Sequence, residues 1–328
     1  MIGFYIIIFG ISLFLTWLVR VYAIHKSIID IPNDRSSHTI PTPRGGGLAI
    51  AIAWFIGLIW FFVIHKIDSS LFYALLCGLP LTLIGFVDDI INLKPGVRFF
   101  VQFLCAAGAL FFLGGLQNCQ FSIFNCNSLF ILTPLAFIAI VWAINLFNFL
   151  DGIDGYIGTE VVFIGFASFF LFGQSLGLLL AVSVVGFLFW NWPRAKIFMG
   201  DVGSTLLGFT VAVLAIYHQN SHLLNLPVWL ILTSVFWYDA TLTLWRRFRN
   251  KEQLSQAHRK HAYQRLVQSG WSHQKTTLGA LSINVVAFGL AYLAHRYSTL
   301  DWLFLLADIS LLSIIMRYID HRMPFEKK

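Results

Sequence analysis

Charge is what this 328-residue sequence has least of. Asp, Glu, Lys and Arg together make up 11% of it, against roughly 25% in an ordinary soluble domain. Hydrophobic residues reach 58% and the mean hydropathy is +0.77. No soluble core could absorb that excess. Segments of about ten residues with strict apolar and polar alternation are also missing, which argues against an outer-membrane barrel. The first apolar run lacks a basic leader region and an A-x-A-like cleavage site, and is too long for a cleaved signal, so it is expected to stay as an anchor. Cysteine is sparse, at four residues. Cys77 and Cys105 fall in apolar stretches and read as small core residues. Cys119 and Cys126 share one connection, where an oxidising compartment would permit a disulfide.

What is present is apolar sequence in lengths of about 17 to 25 residues, enough for a helix to cross a hydrocarbon core of about 30 Å. Such stretches recur at 2–24, 46–65, 70–87, 99–115, 129–147, 157–173, 175–191, 203–218, 226–245, 277–295 and 300–318. The expected fold is therefore all-α, a polytopic transmembrane bundle of about 11 spans forming one domain over residues 1–328. Placing the 25–45 connection inside puts 19 of the 22 Lys and Arg residues on that side. The positive-inside rule then sets the N-terminus outside and the C-terminus in the cytoplasm. The net charge of +7 reads as topology and anionic-lipid contact, with no need of nucleic acid.

The acids are as one-sided as the bases. Asp88, Asp89, Asp151, Asp154 and Asp201 sit where spans meet the inner face, on three connections far apart in sequence. Like charges gather at a low-dielectric boundary only when something positive joins them. A solvated acid at a span end is the alternative for any one of these. It weakens for FVDDIIN, with its adjacent pair, and for NLFNFLDGIDGY, where Asn145, Asn148 and Asp151 recur every three residues on nearly one helical face. Asp154 follows in a Gly-bounded turn. Amide and carboxylate oxygens suit a hard ion such as Mg²⁺. In IFMGDVGSTLLGF, Gly200, Asp201, Gly203 and Ser204 open a span whose free N–H groups would face phosphate, although Asp201 or Ser204 could equally be a structural N-cap.

Basic residues supply the complement. The segment HKSIIDIPNDRSSHTIPTPRGGG, with three Pro and three consecutive Gly, reads as a loop from which Arg35, His38 and Arg44 could grip phosphate oxygens. Between 245 and 276, His258 and His261 lie three apart, on one face if helical, beside Arg259 and Arg265. A zinc site would need a third ligand, and no cysteine lies on this side; imidazole and guanidinium groups suit a diphosphate better. For both segments a basic loop that only meets lipid headgroups is the alternative. Arg98 follows the Asp pair by about two and a half turns. Asp239, inside a span, is expected to pair with Arg246 or Arg247. Glu160 and Asp308 are further intramembrane acids without an evident role.

Five blocks in order, DIPNDRSSHTIPTPRGGG, GFVDDIINLKPGVR, NLFNFLDGIDG, FMGDVGS and HRKHAYQRL, resemble those of the polyprenyl-phosphate N-acetylhexosamine-1-phosphate transferases, glycosyl transferase family 4. The last block, continuing as VQSGWSHQKTT, looks most like the O-antigen-initiating branch that uses UDP-N-acetylfucosamine or UDP-N-acetylquinovosamine. The resemblance implies transfer of a sugar-1-phosphate from a UDP-N-acetylhexosamine donor to undecaprenyl or another polyprenyl phosphate, with release of UMP, at the start of lipopolysaccharide O-antigen or related cell-surface synthesis. It implies Mg²⁺, with Mn²⁺ as substitute, a bacterial inner-membrane location, no nucleic-acid partner, and leaves a homodimer open. The active-site connections would be 25–45, 88–98, 148–156, 192–202 and 246–276. By position, Asp88, Asp89, Asp151 and Asp154 match catalytic residues, and Asp201 and Asn148 match metal ligands. Arg98 matches a basic phosphate contact, and His258, Arg259 and His261 match the histidine motif that holds the donor diphosphate; Arg35, His38, Arg44 and Asn145, read from the residues alone, join them as expected substrate-binding residues. The chain departs from the common pattern at Asn92, where a carboxylate or lysine is usual, and in HRKH.

Two rivals come from other classes. A secondary transporter predicts polar residues near the midplane and an internal repeat, whereas these blocks lie at span ends and no repeat is evident. A lipid-phosphate metallohydrolase would share the carboxylates but has less use for a separate basic block.

Overall fold

The computed structural model describes residues 1–32, 37–91, 93–117, 129–173, 175–254, 256 and 258–325. Arg35, Asn92, Cys119 and Cys126, singled out above, lie outside the described residues. Cys77 and Cys105 are free thiols.

Helices dominate. In chain order they are α1 (Ile2–His25), α2 (Gly47–Val63), α3 (Ser69–Leu76), α4 (Leu79–Ile91), α5 (Pro95–Leu113), α6 (Leu129–Leu150), α7 (Tyr156–Phe172), α8 (Ser175–Asn191) and α9 (Gly200–Asn220). They continue as α10 (Leu226–Leu232), α11 (Ser234–Arg249), α12 (Ala262–Gln268), α13 (His273–Arg296) and α14 (Asp301–Arg322). The 25–45 connection is more than a loop: β1 (Ile29–Asp30) pairs antiparallel with β2 (Thr42–Pro43), Ile29 opposite Pro43.

Each of the eleven apolar stretches coincides with helix. Among the described residues, seven helical stretches are long and apolar enough to cross a membrane; α10 and α11 pass the same test only as a pair, bent by 81°. The remaining three, α2, α7 and α8, are apolar helices of 17 residues each. The bundle wears its large apolar side chains outward, with Ile2, Phe111 and Phe170 at least 73% exposed. Water would penalise that surface and hydrocarbon does not.

The helix ends follow local chemistry. Asp68 caps α3 by accepting the Leu71 N–H at 2.8 Å, Pro95 opens α5, and Gly114, at φ +70°, closes it in the left-handed region that glycine adopts freely. Ser272 caps α13, accepting the Lys275 N–H at 3.1 Å.

Helix α9 is the centre of the bundle. Its apolar window is 78% buried, against 17% for α1 at the rim, and it packs on α2, α3, α4, α5, α6 and α10. The approach of α2 is unusually close because both helices are glycine there: a Cβ on Gly47 would lie 2.2 Å from the Gly203 backbone nitrogen. Ahead of the contact the chains zip together, Phe198 N–H to Pro43 O at 2.8 Å, Gly46 N–H to Phe198 O at 2.9 Å and Gly47 N–H to Met199 O at 2.8 Å. The 42–47 segment is thereby registered against the start of α9.

Candidate active site

Where α4, α6 and α9 end at the same face as the β1–β2 segment, a polar cavity of about 270 Å³ opens. Its walls include His38, Arg44, Asp89, Asn148, Asp151, Asp154 and Asp201, so seven of the expected site residues do converge. Asp89, from the last turn of α4, accepts the Asp201 N–H through Oδ1 at 3.2 Å. This corrects the reading of the α9 start: Met199 is its N-cap residue and neither Asp201 nor Ser204 caps it. The second Asp89 oxygen is buried with no hydrogen-bond partner. It lies over Gly200, where a Cβ would come within 2.4 Å of it. Arg44 donates to the Asp89 backbone carbonyl.

Asp88 points to a different partner. Arg98 bridges its carboxylate, at 2.9 Å, to that of Asp201, at 3.1 Å, and the Leu93 N–H donates to its other oxygen. One guanidinium thus offsets two acids contributed by separate helices. Asn148 donates to Ser204 Oγ at 3.2 Å, which places its amide beside the start of α9. Asp151, just past the end of α6, is pushed up to about 8, by burial first and then by the charges of Asp201, Asp89 and Asp154. With Asp30, five carboxylates line this one cavity, a concentration of negative charge that a bound cation would offset.

A second, larger space meets the first. A groove of about 640 Å³ runs along α4, α5 and α6, lined by Phe99, Phe103, Phe137, Ile138 and Trp142 among other apolar residues. Its polar end holds Arg98, Gln102, Asn145, Asn148 and Asp201. Asn148 and Asp201 line both spaces. Asn145 belongs to the groove alone among the described cavities and donates to Gln102 Oε1 at 2.7 Å. The three-residue stripe therefore divides between the two.

The 246–276 segment differs from expectation in two ways. His258 and His261 do not share a helical face, because α12 starts at Ala262 with His261 as its N-cap residue. Their rings still lie 4.9 Å apart. The helix starts there because both Asp239 oxygens accept the Ala262 N–H at 2.9 Å. Asp239 also accepts from Thr243 at 3.1 Å and lies 3.6 Å from His261 Nδ1. Asp239 thus does not pair with the arginines: Arg246 binds Asp320 through two bonds of 2.8 and 2.7 Å, and Arg247 binds Glu252 at 3.1 Å. The second difference is position. Of this segment, Gln264 and His273 line the polar cavity among the described residues, while His258, Arg259 and His261 are not part of its lining. Burial pushes His258 down to about 3, helped by the nearby cations, so its imidazole is neutral and accepts the Lys260 N–H at 3.3 Å.

Several contributors escaped the sequence. Gln102 had a signal, a lone amide one helical turn beyond Arg98. Asn191 ties the 151–155 turn to the α8–α9 connection, accepting the Gly155 N–H and donating to Ile197 O, each at 2.9 Å. His273 falls within the VQSGWSHQKTT continuation quoted above, but nothing in the sequence relates it to Asp154. Glu160, buried in α7, accepts from Asn284 of α13 at 2.5 Å.

The chain is similar to known proteins over most of its length. The model of glycosyl transferase family 4 matches residues 71–219, the stretch that holds Asp88 through Asp201. A Bacillus subtilis (strain 168) protein, "Probable undecaprenyl-phosphate N-acetylglucosaminyl 1-phosphate transferase", is 29% identical over 322 residues, covering 94% of this chain and 87% of the relative. A Yersinia pestis "Undecaprenyl-phosphate alpha-N-acetylglucosaminyl 1-phosphate transferase" is 29% identical, with 92% of this chain and 88% of the relative covered. A Thermotoga maritima protein of the same name is 32% identical over 60% of each chain.

Proposed function

We propose that this chain, a membrane glycosyl-1-phosphate transferase of the polyprenyl-phosphate N-acetylhexosamine-1-phosphate transferase family, moves a sugar-1-phosphate from a UDP-N-acetylhexosamine to undecaprenyl or a similar polyprenyl phosphate. The observation that carries this reading is the shared wall. A polar cavity sized for a sugar diphosphate and an apolar groove suited to a prenyl tail meet at Asn148 and Asp201. The acceptor phosphate lies at the polar end of the groove, beside Arg98, and its tail runs along Phe99, Phe103 and Phe137. The donor diphosphate enters the cavity against Arg44 and His38.

An oxygen of the lipid phosphate attacks the sugar-linked phosphorus of the donor. The bond from that phosphorus to the bridging oxygen breaks, UMP carries the bridging oxygen away, and a polyprenyl diphosphate sugar remains. Charge is the main obstacle, because three phosphates meet. Arg98 can exchange a carboxylate for phosphate oxygens of the same geometry, while Asp88 orients it. This supports a positioning role for Asp88 in place of a free base.

A divalent cation fits the donor set. Asp89 has an unpartnered buried oxygen, Asp151 and Asp201 face the same cavity, and Asn148 adds an amide oxygen. Among the described residues no three His, Cys, Asp or Glu side chains already converge on one point. Mg²⁺ is commonly held by one or two carboxylates together with substrate phosphates, and Asp89, Asp151, Asp201 and Asn148 are the residues that would hold it here. When bound, such an ion would supply positive charge to offset the acids of the cavity and a diphosphate.

The finer assignments belong to the same proposal. We place about eleven crossings, the N-terminus outside, and the site and C-terminus in the cytoplasm of the inner membrane, on the distribution of Lys and Arg. The HRKHAYQRL block supports O-antigen or related surface-polysaccharide initiation. Purified protein with polyprenyl phosphate, Mg²⁺ and a panel of UDP-N-acetylhexosamines tests the function, with UMP and lipid-linked sugar as readouts. No UMP from any donor, with folded protein, would overturn it.

A further inference from the structure

The 151–155 turn is held from an unexpected direction. Helix α13 ends its first turn against it: Thr277 donates to the Asp154 backbone carbonyl at 3.2 Å. One turn earlier, His273 Nδ1 lies 3.2 Å from Asp154 Oδ2 and 3.4 Å from the Asp154 backbone nitrogen. The other ring nitrogen, Nε2, lies 3.1 Å from the carbonyl oxygen of Ser37. One imidazole therefore joins three segments that are remote in sequence, and its side chain is 15% exposed within the cavity wall.

The bridge holds in either protonation state. A carbonyl oxygen only accepts, so Nε2 carries the hydrogen toward Ser37. Nδ1 then either accepts the Asp154 N–H, in the neutral ring, or donates to the Asp154 carboxylate, in the cation. Asp154 is gripped both ways. The helix that presents His273 is itself anchored, capped by Ser272 and bound to α7 through Asn284 and Glu160.

We propose that His273 is a positioning residue for the transfer, acting through Asp154 on the reacting centre and through Ser37 on the donor-binding segment. Asp154 also accepts the Ala195 N–H at 3.1 Å, so it is a junction of the wall. Its tilt sets Asp151, three residues back in the same turn. Ser37 adjoins His38, which rests edge-on against Phe198 with ring centroids 4.8 Å apart. The two ends of the bridge thus govern different kinetic quantities. The Asp154 end governs turnover, and the Ser37 end governs donor affinity.

The inference rests on the transfer reading above, and two isosteric variants separate its halves. In His273→Asn the side-chain amide falls where Nδ1 does, so the Asp154 contact survives and the Ser37 contact is lost. In His273→Gln the amide reaches the Nε2 position, with the reverse result. Steady-state assays with UDP-N-acetylhexosamine and polyprenyl phosphate should show His273→Asn with KM for the donor raised about tenfold and kcat within about threefold. His273→Gln should show the opposite split, and His273→Ala both losses, each lost hydrogen bond corresponding to about tenfold. Variants all within about twofold of wild type would overturn the proposal. So would Asn and Gln variants that lose kcat and gain KM in the same proportion as they lose thermal stability, since that is the mark of a merely structural residue. A wild type that releases no UMP fails the transfer itself, and with it this inference.

Discussion

Substituting Gly47 by Ala adds one methyl group at the tightest point between α2 and α9. The new carbon would lie 2.2 Å from the backbone nitrogen and 2.4 Å from the Cα of Gly203. Carbon contacts are comfortable from about 3.5 Å, so the helices must part by roughly 1.3 Å. Neither clashing atom belongs to a side chain that could rotate away. The displacement acts on the element that carries Asp201 relative to the one that carries Arg44, and a misplacement of about 1 Å costs on the order of 10²-fold in rate. Gly57→Ala is the control: its methyl would meet Leu179 Cδ1 at 2.3 Å, but that is the end of a flexible side chain, and Gly57 lies nearly three turns further along α2 from the site. Both variants should lose stability, by about 1 to 3 kcal/mol for overpacking. Only Gly47→Ala should lose turnover by about two orders of magnitude. Detergent-solubilised protein, melted and assayed in parallel for UMP release, checks this. Turnover of Gly47→Ala within about threefold of wild type, or an equal loss in Gly57→Ala, would refute the argument.

Other outcomes follow from the site. Because Asp151 is raised from the ordinary carboxylate range to about 8, its proton stabilises the fold at low pH, and that contribution is lost as pH rises through 8. In EDTA the melting temperature should therefore fall between pH 6 and pH 8.5, and Mg²⁺ should restore it more at pH 8.5, where the carboxylate is already ionised; a melting temperature indifferent to both would refute it. Asp239→Ala leaves the buried Ala262 N–H without its acceptor, at about 1 to 3 kcal/mol. Trypsin should then cut at Arg259 or Lys260 markedly faster, with Asp239→Asn intermediate, and unchanged digestion would remove Asp239 as the anchor of α12. Asp201→Ala and Asp88→Asn should each lower the rate of UMP release by orders of magnitude, and a wild-type rate in either removes that residue from the mechanism.

The parts of the site legible in the sequence are those that a helix displays at its own end. Asp88, Asp89, Asn148, Asp151 and Asp201 advertise themselves because a carboxylate or amide at the border of an apolar run has few reasons to be there. The apolar stretches were equally plain, since length and hydropathy are local properties. Illegible were the relations that depend on which helices touch. Asp239 reads as a partner for the nearest arginine in sequence, yet it serves a backbone N–H 23 residues away, because the chain returns after α11 and sets the first residue of α12 against it. His273 sits 119 residues from Asp154 and reads as an ordinary helix-start residue. The β1–β2 pair escaped because two-residue strands carry no period.

Asn148 and Asp201 line both the cavity and the groove, and under the proposed assignment of donor to the one and lipid acceptor to the other they form a partition that bears on inhibition. A small molecule confined to the 270 Å³ cavity competes with nucleotide sugar alone, and one confined to the groove competes with lipid alone. A single compound with a phosphate-like group at the partition, an apolar arm and a polar arm would occupy both chambers at once. Its second arm would bind at the effective concentration set by the first, which can exceed either separate affinity by factors of 10² to 10⁴. Excess of one substrate could not then displace it without also lifting its other arm. Such a bisubstrate compound should therefore resist the rise in substrate that follows when an enzyme is blocked.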